Sequence, residues 1–293
     1  MKRLYLLALC VIMISSAVAQ TTKRKKPASF NKQNTENSQF LQKQWWLGFK
    51  AGTNISKAVP GRSYSVISSV DNTSPTRVKK DYENFSKLGT QIGLEITFSY
   101  KQVSISLQPT YRHARFVYSN EFEWTDADPN HHLVLTYEQE QKVDHIEIPL
   151  LVKLEMGSGK LKPYVQLGGY SAILVNANKS VKISGVNYAS GGENKFEDPA
   201  IIVGAKDLFA KNHWGLIAGA GVNYNLGNVR FNLDIMYKYG MSNITSTKNR
   251  YSNDRLSGVG DALDDLKLNN LAFSLGCLFP LRFLGTGFKS IDK

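Results

Sequence analysis

Residues 214–240, WGLIAGAGVNYNLGNVRFNLDIMYKYG, constrain the fold more than any other stretch of the chain. Trp214, Leu216, Ala218, Ala220, Val222 and Tyr224 fall on every second position, with Gly215, Ile217, Gly219, Gly221 and Asn223 between them. After Asn225-Leu226-Gly227-Asn228 the alternation resumes: Phe231, Leu233, Ile235, Tyr237 and Tyr239 alternate with Arg230, Asn232, Asp234, Met236 and Lys238. A period of two over this length means extended strands, because successive side chains of a strand point to opposite faces. The Leu-Gly-Asn step suits a tight hairpin turn. Strands of this length can cross a bilayer when tilted. One face is apolar and the other carries charge, amide and glycine.

The pattern recurs along the chain. Period-two stretches are read at residues 44–56, 86–100, 103–117, 143–156, 161–175 and 268–283, which with the opening hairpin makes eight strands. Pro109 cannot donate to a ladder, so it predicts an irregularity in the third strand. Residues 132–140 extend the fourth strand outward, so its hairpin with the third projects beyond the rest. The connections after the second, fourth and sixth strands are short, and those after the first, third, fifth and seventh are long. In the long connection 176–213, Asp198-Pro199 reads as a helix start, with Ile201, Ala205, Leu208 and Phe209 on one helical face.

A sheet that sorts its connections by length in this way predicts an all-β fold: an eight-stranded antiparallel transmembrane up-and-down β-barrel. Its short turns are periplasmic, its long loops extracellular, and both termini periplasmic. A soluble barrel of the lipocalin kind is the alternative.

The flanking segments fit that address. Residues 1–19 read as a secretory signal: Lys2 and Arg3, an apolar core over 4–14, and Ala17-Val18-Ala19 at the cleavage site. Residues 20–43 are polar and carry Lys23-Arg24-Lys25-Lys26, which predicts a disordered basic arm in the periplasm. The barrel is placed at 44–283 and a periplasmic tail at 284–293. Cys277 is the one cysteine outside the signal, so no intrachain disulfide is expected. The formal charge of +12 excludes little. For an exported chain it reads as ordinary solubility charge, with anionic envelope components a better-matched partner than nucleic acid.

The charged face points inward. Lys50, Glu95, Arg112, Glu147, Lys153, Arg230, Asp234 and Lys238 are predicted to fill the lumen, with Glu155. Eight strands leave an interior just wide enough for side chains. A charge buried there without a partner costs several kcal/mol. The expectation is a structural ion-pair network and no open pore, with a gated ion or proton path as the competing reading. Trp45, Trp46, Trp214 and Tyr237 are assigned to the interfacial aromatic girdles.

No catalytic or metal site and no cofactor is expected. The histidines are His113, His131, His132, His145 and His213, and no GxSxG occurs. His145 and Glu147 share one strand face, which is compatible with a base and its orienter, but alternate residues of any strand do so. Asp261, Asp264 and Asp265 lack the ligand spacing of a calcium loop and read as a solvated connection.

Several phrases, in order from Trp45 to Phe283, resemble PorT-type outer-membrane β-barrel proteins of Bacteroidetes. They are LGFKAGTNIS, VSISLQPTY, IEIPLLVK, PYVQLGG, GLIAGAGVNY, YKYGMSNI and NLAFSLGCLFP. The resemblance implies an eight-stranded barrel in the outer membrane with no known catalytic residues, and a family namesake implicated in type IX secretion. The expected partners are outer-membrane lipid and envelope or secretion-system proteins, met through the basic arm or the outer loops. The function expected is that of a non-enzymatic envelope or secretion accessory. The alternatives are a loop-mediated ligand-binding or adhesive barrel and a lipid-modifying enzyme.

Overall fold

The computed structural model describes residues 43–66, 80–125, 131–157, 159–189, 192–226, 228–251 and 260–281. The signal, almost all of the basic arm and the C-terminal tail named above lie outside these residues.

Eight long strands form the wall. They are β1 (Lys43–Pro60), β2 (Asn84–Tyr100), β3 in two segments (Val103–Leu107 and Thr110–Thr125), β4 (His132–Glu155), β5 (Leu161–Asn187), β6 (Asn212–Leu226), β7 (Val229–Gly240) and β8 (Leu266–Pro280). Each pairs antiparallel with its sequence neighbours, and β1 pairs with both β2 and β8. The register of the last pairing runs from Trp46↔Pro280 to Pro60↔Leu266, so the ring is closed. Closure matters because an unpaired sheet edge in hydrocarbon leaves backbone polar groups with no partner.

The break in β3 falls at Gln108-Pro109, where Pro109 supplies a carbonyl to Leu94 N–H and no donor of its own. A second irregularity, between Asp144 and His145 on the β4–β5 ladder, has no glycine or proline to announce it.

Side chains alternate about the wall as the sequence predicts. Phe49, Ile92, Ile105, Leu150, Leu167, Leu233 and Leu275 stand exposed on the outside, while Lys50, Glu95, Arg112, Glu147 and Asp234 are buried inside. An outward apolar belt beside an inward polar core reverses the arrangement of a soluble protein and suits hydrocarbon outside.

Two expectations are corrected. The strand expected at 161–175 continues to Asn187, paired with β4 up to Leu133↔Asn187. The expected helix around Ile201–Phe209 is instead a short strand, Ile201–Gly204, and a single 3-10 turn, Lys206–Leu208. Once β5 is extended, its free edge offers backbone partners. The β-branched run Ile201-Ile202-Val203 takes them, along with Asn194–Glu197. A nascent helix of that length could not compete.

At the end bearing the long connections, the inside is closed by an apolar core. Phe116, Tyr118, Leu208, Phe209, Ile244 and Leu263 are among its members, drawn from the wall and from the connections.

The outward face yields a test. Leu233→Arg places a guanidinium against the apolar belt and should destabilise the reconstituted barrel by about 2–4 kcal/mol. Urea unfolding in lipid vesicles would read this. An unchanged midpoint would show that Leu233 does not face lipid.

Candidate functional site: a paired lumen beneath a locked mouth

The buried polar groups form tiers along the barrel axis. At the short-turn end, Arg230 Nη1 donates to Glu155 Oε1 at 2.7 Å and Asn223 donates to the same oxygen at 2.9 Å. The Arg230 guanidinium lies 4.3 Å from the centre of the Trp46 ring. Trp46 is therefore a lumen residue, 2% exposed, and its assignment to an interfacial girdle is corrected. It follows Trp45 by one position, so the pleat sends the two rings to opposite faces. Trp45 stands outside, 51% exposed and packed 5.0 Å from Phe98. Trp214 and Tyr237 are also outward and exposed.

The middle tier joins four strands. Glu95 Oε1 accepts from Lys153 Nζ at 2.5 Å, and Glu95 Oε2 lies 3.2 Å from Lys50 Nζ. Lys50 also pairs with Asp234 and donates to Gln108 at 3.2 Å. Thr97, Ser106 and Asn232 also donate to Glu95, at 2.8, 3.2 and 3.0 Å. Two lysines and two carboxylates thus share one buried cluster. Inward glycines give the long side chains space: a Cβ at Gly276 would stand 2.9 Å from Lys50 Cγ and strike Asn232.

Above them Glu147 lies 2.7 Å from Arg112 Nη2 and accepts from Lys238 at 2.5 Å. His145 is buried beside it, but its ring packs edge-on to His213 with centroids 4.5 Å apart. Both carboxylate oxygens of Glu147 face cations. It is therefore engaged by Arg112 and Lys238 and does not orient His145. Between Lys50, Gln91, Gln108, Lys238 and Ser274 the space left measures about 10 Å³, near the least that holds one water.

The mouth is held by groups that sequence reasoning read as loop. Asp261 and Asp264 are 2% and 1% exposed, which corrects the expectation of a solvated connection. Asp264 accepts from Lys80 at 3.0 Å, Tyr82 O–H at 2.9 Å and Tyr64 N–H at 2.9 Å. Asp261 accepts from Ser65 and from the backbone N–H groups of Val66 and Ala262, and Asp265 pairs with Arg250. Lys179 donates to the Asp261 carbonyl at 2.9 Å. Hydrogen bonds from lysines and backbone groups, with no set of converging carboxylates, suit a latch rather than a calcium site. Among the described residues no group of three or more His, Cys, Asp or Glu is placed to hold a metal ion. The run of carboxylates around an Ala-Leu pair was visible in sequence. Lys80, Tyr82 and Lys179 carried no signal, because they lie far from it along the chain.

Residues 19–246 match the family described as outer membrane protein beta-barrel domain. The chain belongs to that family. It is an eight-stranded barrel of the outer membrane, and its apolar belt meets membrane lipid. No curated protein sequence matches it. Similar solved structures include OprG from Pseudomonas aeruginosa, at 16% identity over 82% of this chain and 97% of that one, with a TM-score of 0.36. Outer Membrane Protein W of E. coli gives 15%, 80%, 97% and 0.33 in the same order. The outer membrane protease OmpT from Escherichia coli gives 12%, 87%, 99% and 0.25.

Two measurements test the pairing. Glu95→Gln takes from Lys153 its carboxylate partner and should cost about 3–5 kcal/mol, as expected when one member of a buried pair is removed. Adding Lys153→Met should recover most of that loss, and additive effects would show the pair to be uncoupled.

Lys179 lies outside the apolar belt. Burial, and then the nearby Lys80, push its ammonium down to about 7 from the ordinary 10.5. The unfolded chain holds that proton between these values and the folded chain does not, so stability should rise with pH from about 7 to about 10.5. Urea midpoints across this window should flatten in Lys179→Met.

Proposed function

We propose that this chain is a non-enzymatic outer-membrane barrel with a closed lumen, acting as an envelope or protein-secretion accessory through the sheet that stands above the outer leaflet. In this reading both ends of the barrel segment face the periplasm, with the short turns. Trp45 at that end and Trp214 and Tyr237 at the other belong to the two interfacial girdles. The ion pairs are a structural plug.

One observation carries the reading. The outward apolar belt ends near Ile146↔Ile173, yet the β4–β5 ladder continues to Leu133↔Asn187, and β3 follows β4 to Thr125↔His132. A strand needs about 9–11 residues to cross the bilayer. The excess adds nothing to crossing and makes a projecting sheet on one side of the mouth, built from β3, β4 and β5 and flanked on β5 by the short strands Asn194–Glu197 and Ile201–Gly204.

The resemblance to PorT-type barrels points to a type IX-like secretion apparatus as the partner system. The half-exposed Trp124 near the tip of the projection favours a second reading, in which the same sheet is the contact surface of a ligand-binding or adhesive barrel.

Planar bilayers containing the purified barrel should show no steady ion conductance, and stable conductance steps would sink the closed-lumen reading. Affinity capture from detergent-solubilised outer membrane should recover envelope or secretion proteins with the full chain. A variant in which residues 121–136 are replaced by a short turn should lose them. Equal recovery by both would remove the projection from the function.

A further inference from the structure

We propose that the edge of β3 above the mouth is a strand-addition site for an extended, basic segment of another protein. This inference rests on the reading of the projection as a contact element, and it specifies the chemistry of the partner.

β3 is paired on both sides only through its lower part. Against β2 its register runs from Gly93↔Thr110 to Thr90↔His113, and the short strand Asp81–Tyr82 then covers Tyr118 and Ser119. From Asn120 to Thr125 the strand stays paired to β4, from Asn120↔Tyr137 to Thr125↔His132. Along its other edge no described residue pairs with it. Every second residue of an unpaired edge leaves its backbone N–H and C=O available, a template on which a second chain can form a ladder. Folded proteins ordinarily blunt such an edge with charge, lysine above all, or with proline or a bulge, and here the charge is carried by Glu121 and Glu123, which would repel a second acidic edge and admit a basic one. The sequence Asn120-Glu121-Phe122-Glu123-Trp124-Thr125 holds no lysine and no proline, and the β3–β4 register runs through it without a shift.

The side chains say what would fit. Glu121 and Glu123 share one face of the sheet, exposed, and neither forms an ion pair with a described residue. Phe122 and Trp124 share the opposite face, with Trp124 49% exposed. A strand laid alongside would set its own alternate residues against these two rows. Basic residues would meet the carboxylates and apolar residues the rings, since directly opposed opposite charges stabilise a ladder and like charges destabilise it. The same rule disfavours a second copy of this chain, whose edge would bring glutamates against glutamates.

The probe is a short acetylated peptide of alternating lysine and valine, titrated against the full chain in lipid nanodiscs and followed by the change in tryptophan fluorescence that is lost in Trp124→Phe. Binding should saturate, weaken with salt, and fall about tenfold or more in the double variant Glu121→Lys, Glu123→Lys, as expected when charge complementarity is reversed. Heat-modifiable gel mobility would certify that this variant is folded. N-methylation of alternate peptide nitrogens separates strand addition from plain charge attraction. Methyls on the nitrogens facing β3 should abolish binding, and methyls on the other set should leave it.

Equal loss from both methylation patterns, no response to charge reversal, or equal binding of a glutamate–valine peptide would overturn the proposal. Photo-crosslinking from position 123 to residues 77–79 of the same chain would also overturn it, since the edge would then be filled from within. If these tests fail while removal of the projection still abolishes capture of envelope proteins, the contact function stands and only the strand-addition site falls.

Discussion

Closure of an eight-stranded ring is the constraint on which the rest depends. The ring leaves no room for bulk water around the charges on its inner face. Every lysine, arginine and carboxylate there must therefore be answered by another group of the wall. Glu95 answers Lys50 and Lys153, Glu147 answers Arg112 and Lys238, and Glu155 answers Arg230. These pairs tie strands distant in sequence, such as β1 to β7 through Lys50 and Asp234. Burial of this kind adds little net stability over an apolar core of the same shape, yet removing one partner is expensive. It therefore acts as a register lock. A one-residue slip of any strand would send its charges to lipid.

The two ends of the barrel solve different problems. At the short-turn end the Arg230–Glu155 pair, roofed by Trp46, fills the lumen with polar side chains. At the other end the wall leaves the apolar belt and the interior changes character. An apolar cluster of aromatic and aliphatic side chains takes over, crossed by the latch of Lys80, Asp261 and Asp264. The barrel is thus membrane-like at mid-height and resembles a soluble β protein at its mouth. The rise of β3, β4 and β5 above that mouth leaves the upper part of β3 paired on one side only among the described residues.

Much of this was legible in the sequence, for a physical reason. Period-two alternation and the sorting of loop lengths are local, one-dimensional signals. They identified the eight strands and their order. The same alternation placed Trp46 inward on its strand, and its assignment to a girdle came from composition overriding the pleat. Strand ends were less legible. Residues 176–187 keep only a weak alternation, Ala177, Val181 and Ile183 against a polar face, interrupted by Lys179 and Gly185, and they are held as strand by pairing with β4. Ile201–Gly204 shows the same effect, with a pairing partner overriding a plausible helix.

By itself the sequence determined the fold class, the membrane-crossing strands, the lipid face and the identity of the charges inside. Those follow from alternation, and alternation is a property of neighbours in the chain. Which charges pair, the burial of Asp261 and Asp264 beneath Lys80, and the height to which β3 follows β4 above the mouth emerge only in three dimensions. These depend on register and on the relative heights of strands, which are set where segments far apart in the chain meet.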